Sequence, residues 1–150
     1  MRISKLVFLG GVVGLLLACD GNDSSASGFN LEDYKGEWLI INYWATWCGP
    51  CLKEIPELNT LAKTHQGEIS VLGVNYDRNT GEQLTQDIAK MGIEFETLEK
   101  DPAAMLKLSR PEGLPVTYLY NPKGDMAAKL VGPQTSESLL ARIAMLEQSD

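Results

Sequence analysis

The sequence predicts a mixed α/β domain in which a central sheet of parallel and antiparallel strands carries helices on both faces. Three observations predict it. Two near-continuous apolar runs, Trp38–Trp44 and residues 69–76, have the make-up of strands buried on both sides of a sheet. Each is followed by a stretch of helical periodicity, and strand–helix–strand alternation makes neighbouring parallel strands. The pattern then changes: residues 115–120 and 126–131, joined across Asn121-Pro-Lys-Gly124, read as an antiparallel hairpin ahead of a final helix striped by Leu139, Leu140, Ile143 and Leu146.

The first eighteen residues stand apart from that domain. Arg2 and Lys5 precede an uncharged apolar run over residues 6–18. As a helix those thirteen residues span about 20 Å, short of the roughly 30 Å hydrocarbon core, so they suit a secretory leader better than a spanning helix. The run ends Leu16-Leu17-Ala18-Cys19, which resembles the lipobox of bacterial lipoproteins, where the cysteine is acylated and becomes the mature N-terminus. The alternatives are an ordinary signal peptide that ends on a chance cysteine, or an uncleaved anchor. Two or three acyl chains would hold the protein durably to a membrane. Asp20, directly after Cys19, resembles the signal that keeps enterobacterial lipoproteins in the inner membrane. Residues 19–28 then form an acylated cysteine and a flexible tether, because Asp-Gly-Asn-Asp-Ser-Ser-Ala-Ser-Gly has no apolar periodicity. The domain proper is residues 29–150.

Within the domain, a helix is expected to begin near Cys48 and run past Leu58 and Leu61, kinked where Pro56 lacks the N–H owed to the Leu52 carbonyl. His65, the single histidine, decorates its end. Thr80-Gly-Glu-Gln83 has the form of a capping box before a second helix, with Leu84, Ile88 and Met91 on one face and Gly92 as its stop. Residues 95–98 read as a short strand. Asp101-Pro102 reads as N-cap and first position of a short helix reaching Leu108.

Composition narrows the function. The chain has 150 residues, of which 13 are Lys or Arg and 20 Asp or Glu, for a formal charge of −7; removing the leader takes two cations and no acid, giving −9. A field of that sign argues against nucleic acid as a partner. Three cysteines are too few for a disulfide scaffold.

The chemistry concentrates at Trp47-Cys48-Gly49-Pro50-Cys51, where a buried strand gives way to a helix. Free N–H groups and the macrodipole at a helix N-terminus stabilise a thiolate on the first cysteine, and the second, three residues on, can close a disulfide onto it. A zinc site is the structural rival, but there is no second Cys pair and only one His to complete it, so no metal is expected.

Residues 39–51, Leu-Ile-Ile-Asn-Tyr-Trp-Ala-Thr-Trp-Cys-Gly-Pro-Cys, resemble the active-site segment of thioredoxin-fold proteins. Four surrounding features narrow the resemblance to the TlpA/ResA-like thiol:disulfide oxidoreductases of bacterial envelopes: Tyr34-Lys-Gly36; Cys51-Leu-Lys-Glu54-Ile-Pro56; Val71-Leu-Gly-Val-Asn-Tyr-Asp77; and Gly113-Leu-Pro115-Val-Thr117 followed by Asn121-Pro-Lys-Gly124. The resemblance covers residues 29–147. The 64 positions from Cys51 to Pro115 match the extra helix and strand of TlpA-like members, placed here at residues 77–100.

The resemblance implies a thioredoxin-like fold and a residue-by-residue assignment. Cys48 is the attacking cysteine and Cys51 the resolving one, and the Cys48–Cys51 disulfide serves in place of any cofactor. Pro115 matches the family's cis-proline, facing the cysteines and leaving the backbone of Leu114 free to pair with an extended substrate; Gly49, Pro50 and Trp47 complete the substrate-binding set. Trp47 either flanks the exposed sulfur or is core. Asn42 stands where plain thioredoxins carry a buried acid, and an amide cannot move a proton. Glu54 either takes over that task or is an exposed first-turn carboxylate that suits the helix dipole. The expected protein is a lipid-anchored, periplasm-facing inner-membrane reductase of protein disulfides, fed by a membrane thiol donor, with cytochrome c maturation as one job of such proteins. Oxidase or isomerase activity is the alternative within the class. A tethered copper-handling module, like the Sco carriers, is the alternative outside it; those carriers use three residues between the cysteines and a distant histidine, which this chain lacks.

Overall fold

Trp38–Trp44 forms β1, and all seven of its residues are buried because strands flank it on both sides. β1 pairs in parallel with β2 (Ile69–Asn75) and antiparallel with β4 (Val116–Tyr120). Outside them, β3 (Glu96–Leu98) runs parallel to β2 and β5 (Met126–Val131) antiparallel to β4, so the order is β3-β2-β1-β4-β5. Three α-helices complete the domain: α1 (Gly49–Thr64), α2 (Gly81–Met91) and α3 (Ser136–Glu147). This computed structural model describes residues 28–149; the leader, Cys19 and the tether up to residue 27 lie outside the described residues.

Side chains along β1 alternate between two cores. Trp38, Ile40 and Trp44 pack with Ile55, Leu58 and Leu61 of α1, Leu84 and Met91 of α2, and Leu139 and Ile143 of α3. Leu39, Ile41 and Tyr43 face the other way, with Leu72 and Val74 of β2 and Val116 and Tyr118 of β4. The steps from β1 to β2 and from β2 to β3 go in the same direction, so right-handed crossovers place α1 and α2 on one side of the sheet. Helix α3 joins them there, so the second side, expected to carry α-helices as well, is covered instead by a 3-10 helix (Leu31–Tyr34) and the segment carrying Leu106 and Leu108.

Two local expectations are corrected. Residues 102–107 form turns, not a short helix. Asp101 does accept from the Ala103 N–H at 2.9 Å as an N-cap would, but its Oδ1 also takes the Tyr43 hydroxyl at 2.7 Å. Leu106 and Leu108 both turn into the second core, whereas a helix would send residues two apart to different faces. Lys107 between them takes a left-handed φ of +53°. The second correction is the capping box. Thr80 is the N-cap of α2 without a side-chain hydrogen bond, and Gln83 donates to Asp87 at 3.0 Å. The box forms at α3, where Ser138 N–H donates to Thr135 Oγ1 at 3.1 Å and Thr135 N–H to Ser138 Oγ at 2.9 Å.

Other features agree with the sequence reading. Gly92 ends α2 at a left-handed φ of +69°. His65 caps α1, its carbonyl accepting from Glu68 and Ile69 N–H. Pro56 lies inside α1, on the exposed side where water can satisfy the Leu52 carbonyl; the kink there stays an expectation. Within residues 77–100 lie one helix, α2, and one strand, β3.

Candidate active site

Strand β1 delivers the chain to the site. It ends at Trp44, and four residues later Cys48, in an extended conformation, is the N-cap of α1. Gly49 and Pro50 form the exposed first turn, and Pro50 costs that turn nothing because its missing N–H is one the helix would leave free. Cys48 and Cys51 are joined in a disulfide with Cα atoms 5.3 Å apart. The Cys51 N–H donates to Cys48 Sγ at 3.1 Å, so a donor of the helix's first turn points at the outer sulfur. Cys51 is wholly buried and Cys48 nearly so. The positive end of the α1 dipole lies at the Cys48 sulfur.

The rim is built from three separate stretches of chain. Trp47 is 63% exposed, which removes it from the core. Its indole N–H donates to the Asp77 carboxylate at 2.9 and 3.2 Å, and its ring meets Tyr76 edge-on with centroids 6.1 Å apart. Across the site, the Leu114–Pro115 peptide is cis and Pro115 is buried, with Leu114 half-buried beside it. Val116 pairs with Tyr43, which puts the Pro115 turn at the same end of the sheet as the start of α1. The Pro115 carbonyl accepts from Gly132 N–H at 2.9 Å and so ties this turn to the β5–α3 loop.

Behind the disulfide lies a buried polar network. Glu54 is 1% exposed, which excludes the reading as an exposed first-turn carboxylate. Its oxygens accept from Asn42 Nδ2 at 2.7 Å and from Gln134 N–H at 2.9 Å. The Asn42 amide also donates to Thr117 Oγ1 at 3.1 Å. Burial raises the Glu54 pKa above its ordinary value, and the bonds from Gln134 and Asn42 oppose that rise. One turn further along α1, Glu57 accepts from Ser136 N–H at 3.0 Å, so two carboxylates of α1 hold the loop that enters α3.

Cys48, Cys51, Glu54, Trp47, Leu114 and Pro115 therefore gather at one end of the sheet. The sequence reading missed Asp77, Gln134 and Thr117. Asp77 ended a quoted motif, but its bond to a tryptophan thirty residues away has no local signature. Gln134 contributes a backbone N–H, which carries no side-chain signal at all.

The chain is similar to known proteins in sequence and fold. The AhpC/TSA family model matches residues 17–142. The thiol:disulfide interchange protein HelX of Rhodobacter capsulatus is 31% identical over 82% of this chain and 67% of its own length. The thiol-disulfide oxidoreductase ResA of Bacillus thuringiensis is 26% identical over 78% of this chain and 68% of its own. The crystal structure of StoA from Bacillus subtilis superposes with a TM-score of 0.59 and 26% identity, covering 73% of this chain and 84% of that one. With a thioredoxin-like fold, a Cys48–Cys51 disulfide at a helix N-terminus and these relatives, the chain belongs to the AhpC/TSA family and is a thiol:disulfide oxidoreductase.

Proposed function

We propose that this oxidoreductase works as a reductase of protein disulfides in the bacterial envelope, held on the periplasmic side of the inner membrane by acyl chains on Cys19. The observation that carries the reading is the asymmetric pair, with Cys48 at the helix N-cap and Cys51 sealed beneath it. In the reduced form the Cys48 thiolate attacks one sulfur of a substrate disulfide. That S–S bond breaks, a mixed disulfide forms, and the first substrate thiolate leaves. Cys51 then gives up its proton and attacks the Cys48 sulfur, which releases the second substrate thiolate and closes the Cys48–Cys51 disulfide. Two electrons have passed to the substrate. A membrane dithiol donor returns the enzyme to its reduced form by the same exchange run in reverse.

Glu54, the buried base nearest in sequence to Cys51, takes up the resolving proton, and Asn42 holds its carboxylate in place. The cis Leu114–Pro115 turn and the Gly49-Pro50 edge present backbone to an extended substrate segment, with Trp47 at its border. Cytochrome c maturation, where cysteines must be kept reduced, is the setting the family resemblance suggests.

Equilibration of the soluble domain against glutathione or dithiothreitol tests the direction. A potential near the roughly −270 mV of thioredoxin is expected, and a value above about −180 mV would make the protein an oxidase or isomerase. Expression of Cys51→Ser in the native host should trap substrates as mixed disulfides on Cys48.

A further inference from the structure

A cavity of about 390 Å³ opens beside the cis-proline turn, on the face of the sheet away from α1. Gly113 and Val116 line it from either side of Leu114–Pro115, Val131 closes one edge, and Arg110 and Lys129 supply two cations. Both cations are held over aromatic rings and not by acids. The Arg110 guanidinium lies 4.0 Å from the Tyr76 centroid and donates to the Tyr76 carbonyl at 3.1 Å. Lys129 Nζ lies 5.6 Å from the Tyr118 centroid, its cross-strand neighbour. Tyr76 is fixed in turn by its hydroxyl bond to the Pro111 carbonyl at 3.0 Å. Among the described residues neither cation forms an ion pair.

Two unpaired cations in a chain of formal charge −7 make this a local reversal of sign. It is also continuous with the redox site. Trp47, next to Cys48, contacts Tyr76, and Tyr76 carries Arg110. A planar guanidinium with N–H groups left over and an ammonium lining the same cavity match a carboxylate. Glu112 lines the same cavity and is the one anion there, which leaves a net charge of +1 for the visitor. The exposed Val131 side chain offers an apolar contact beside it.

We propose that Arg110 and Lys129 form a subsite for a carboxylate side chain of the protein segment that docks beside Leu114–Pro115, so that the enzyme selects substrates with an acidic residue near the reacting cysteine. This rests on the reading above that protein segments dock at that turn. The cation–π contacts hold both charges in place before binding, so little side-chain entropy is lost when the carboxylate arrives.

Direct binding tests it without turnover. Heptapeptides with serine in place of the central cysteine, carrying Glu at one flanking position or Gln at the same position, are titrated into the oxidised protein at low ionic strength. For at least one placement the Glu peptide should bind about five-fold tighter than its Gln twin, in line with one or two partly exposed ion pairs. The preference should shrink with added salt, vanish in the Arg110→Gln/Lys129→Gln double variant, survive Lys129→Arg and grow in Glu112→Gln. Equal binding of every Glu and Gln pair, or a preference that persists in the double variant, overturns the subsite. Exchange with the corresponding cystine peptides is scored separately: a binding preference without any exchange would sustain the subsite and refute the reductase reading.

Discussion

Replacing Glu54 with Gln asks whether burial or hydrogen bonding governs the carboxylate behind the disulfide. Glu54 is 1% exposed, and its two oxygens take bonds of 2.7 and 2.9 Å from Asn42 and Gln134. Burial raises its pKa and those bonds do not cancel the rise. The folded-state pKa therefore lies above the unfolded value of about 4.3, so folding favours the protonated acid. That contribution to stability is fully present below the unfolded pKa and is lost as pH rises through the folded one. Gln is neutral throughout, and its carbonyl can accept one of the two bonds, but its NH2, unlike the hydroxyl oxygen of the protonated acid, cannot accept the other. The variant should thus be less stable than the parent by about 1–3 kcal/mol near pH ~3.5. As pH rises toward neutrality that deficit should shrink, by about 1.4 kcal/mol for each unit by which folding raises the acid's pKa. Urea unfolding of the oxidised soluble domain across this range measures the difference. A variant that instead loses ground as pH rises would mean that the two donors outweigh burial, and the reasoning would be refuted. The same proteins separate structure from chemistry: Glu54→Gln should change the pH profile of thiol exchange, and overlaid profiles would uncouple Glu54 from Cys51.

Gly73 of β2 lies between β1 and β3, where an added Cβ would come 2.7 Å from Thr97 Oγ1 and 2.8 Å from Trp44 Nε1. Gly73→Ala should cost about 1–3 kcal/mol in chemical denaturation, and unchanged stability would contradict the close approach. Asp77→Ala should free the Trp47 ring, seen as increased acrylamide quenching of its fluorescence, and slow exchange with protein substrates about two- to five-fold, the worth of one exposed charge-assisted bond. Unchanged quenching would show that Tyr76 alone holds the ring. Cys19→Ser should release or misprocess the protein in membrane fractionation; full retention at the parent's size would make the leader an uncleaved anchor.

Elements whose signals are local are legible in the residues alone. Trp38–Trp44 reads as a doubly flanked central strand because continuous apolarity is what burial on both faces requires, and it has parallel β2 on one side and antiparallel β4 on the other. The Cys-Gly-Pro-Cys turn is legible because a helix N-terminus and a three-residue spacing are all a dithiol needs. The hairpin over Asn121–Gly124 and the left-handed stop at Gly92 follow from turn chemistry that acts within a few residues.

The remaining features depend on partners far along the chain. Asp101-Pro102 starts a helix by local rules, but the Tyr43 hydroxyl and the pull of Leu106 and Leu108 into one core override them. Glu54, four residues beyond the exposed Pro50, could have faced solvent; α1 packs so as to seal it against Asn42, 12 positions away, and Gln134, 80 positions away. Trp47 could have been core, yet the Asp77 carboxylate 30 positions on holds it at the rim. In each case the deciding energy is desolvation or a hydrogen bond between segments that become neighbours only when the sheet assembles. Residue type and periodicity fix which way a side chain faces within its own element, while its pKa, exposure and partners are set by what the other elements bring against it.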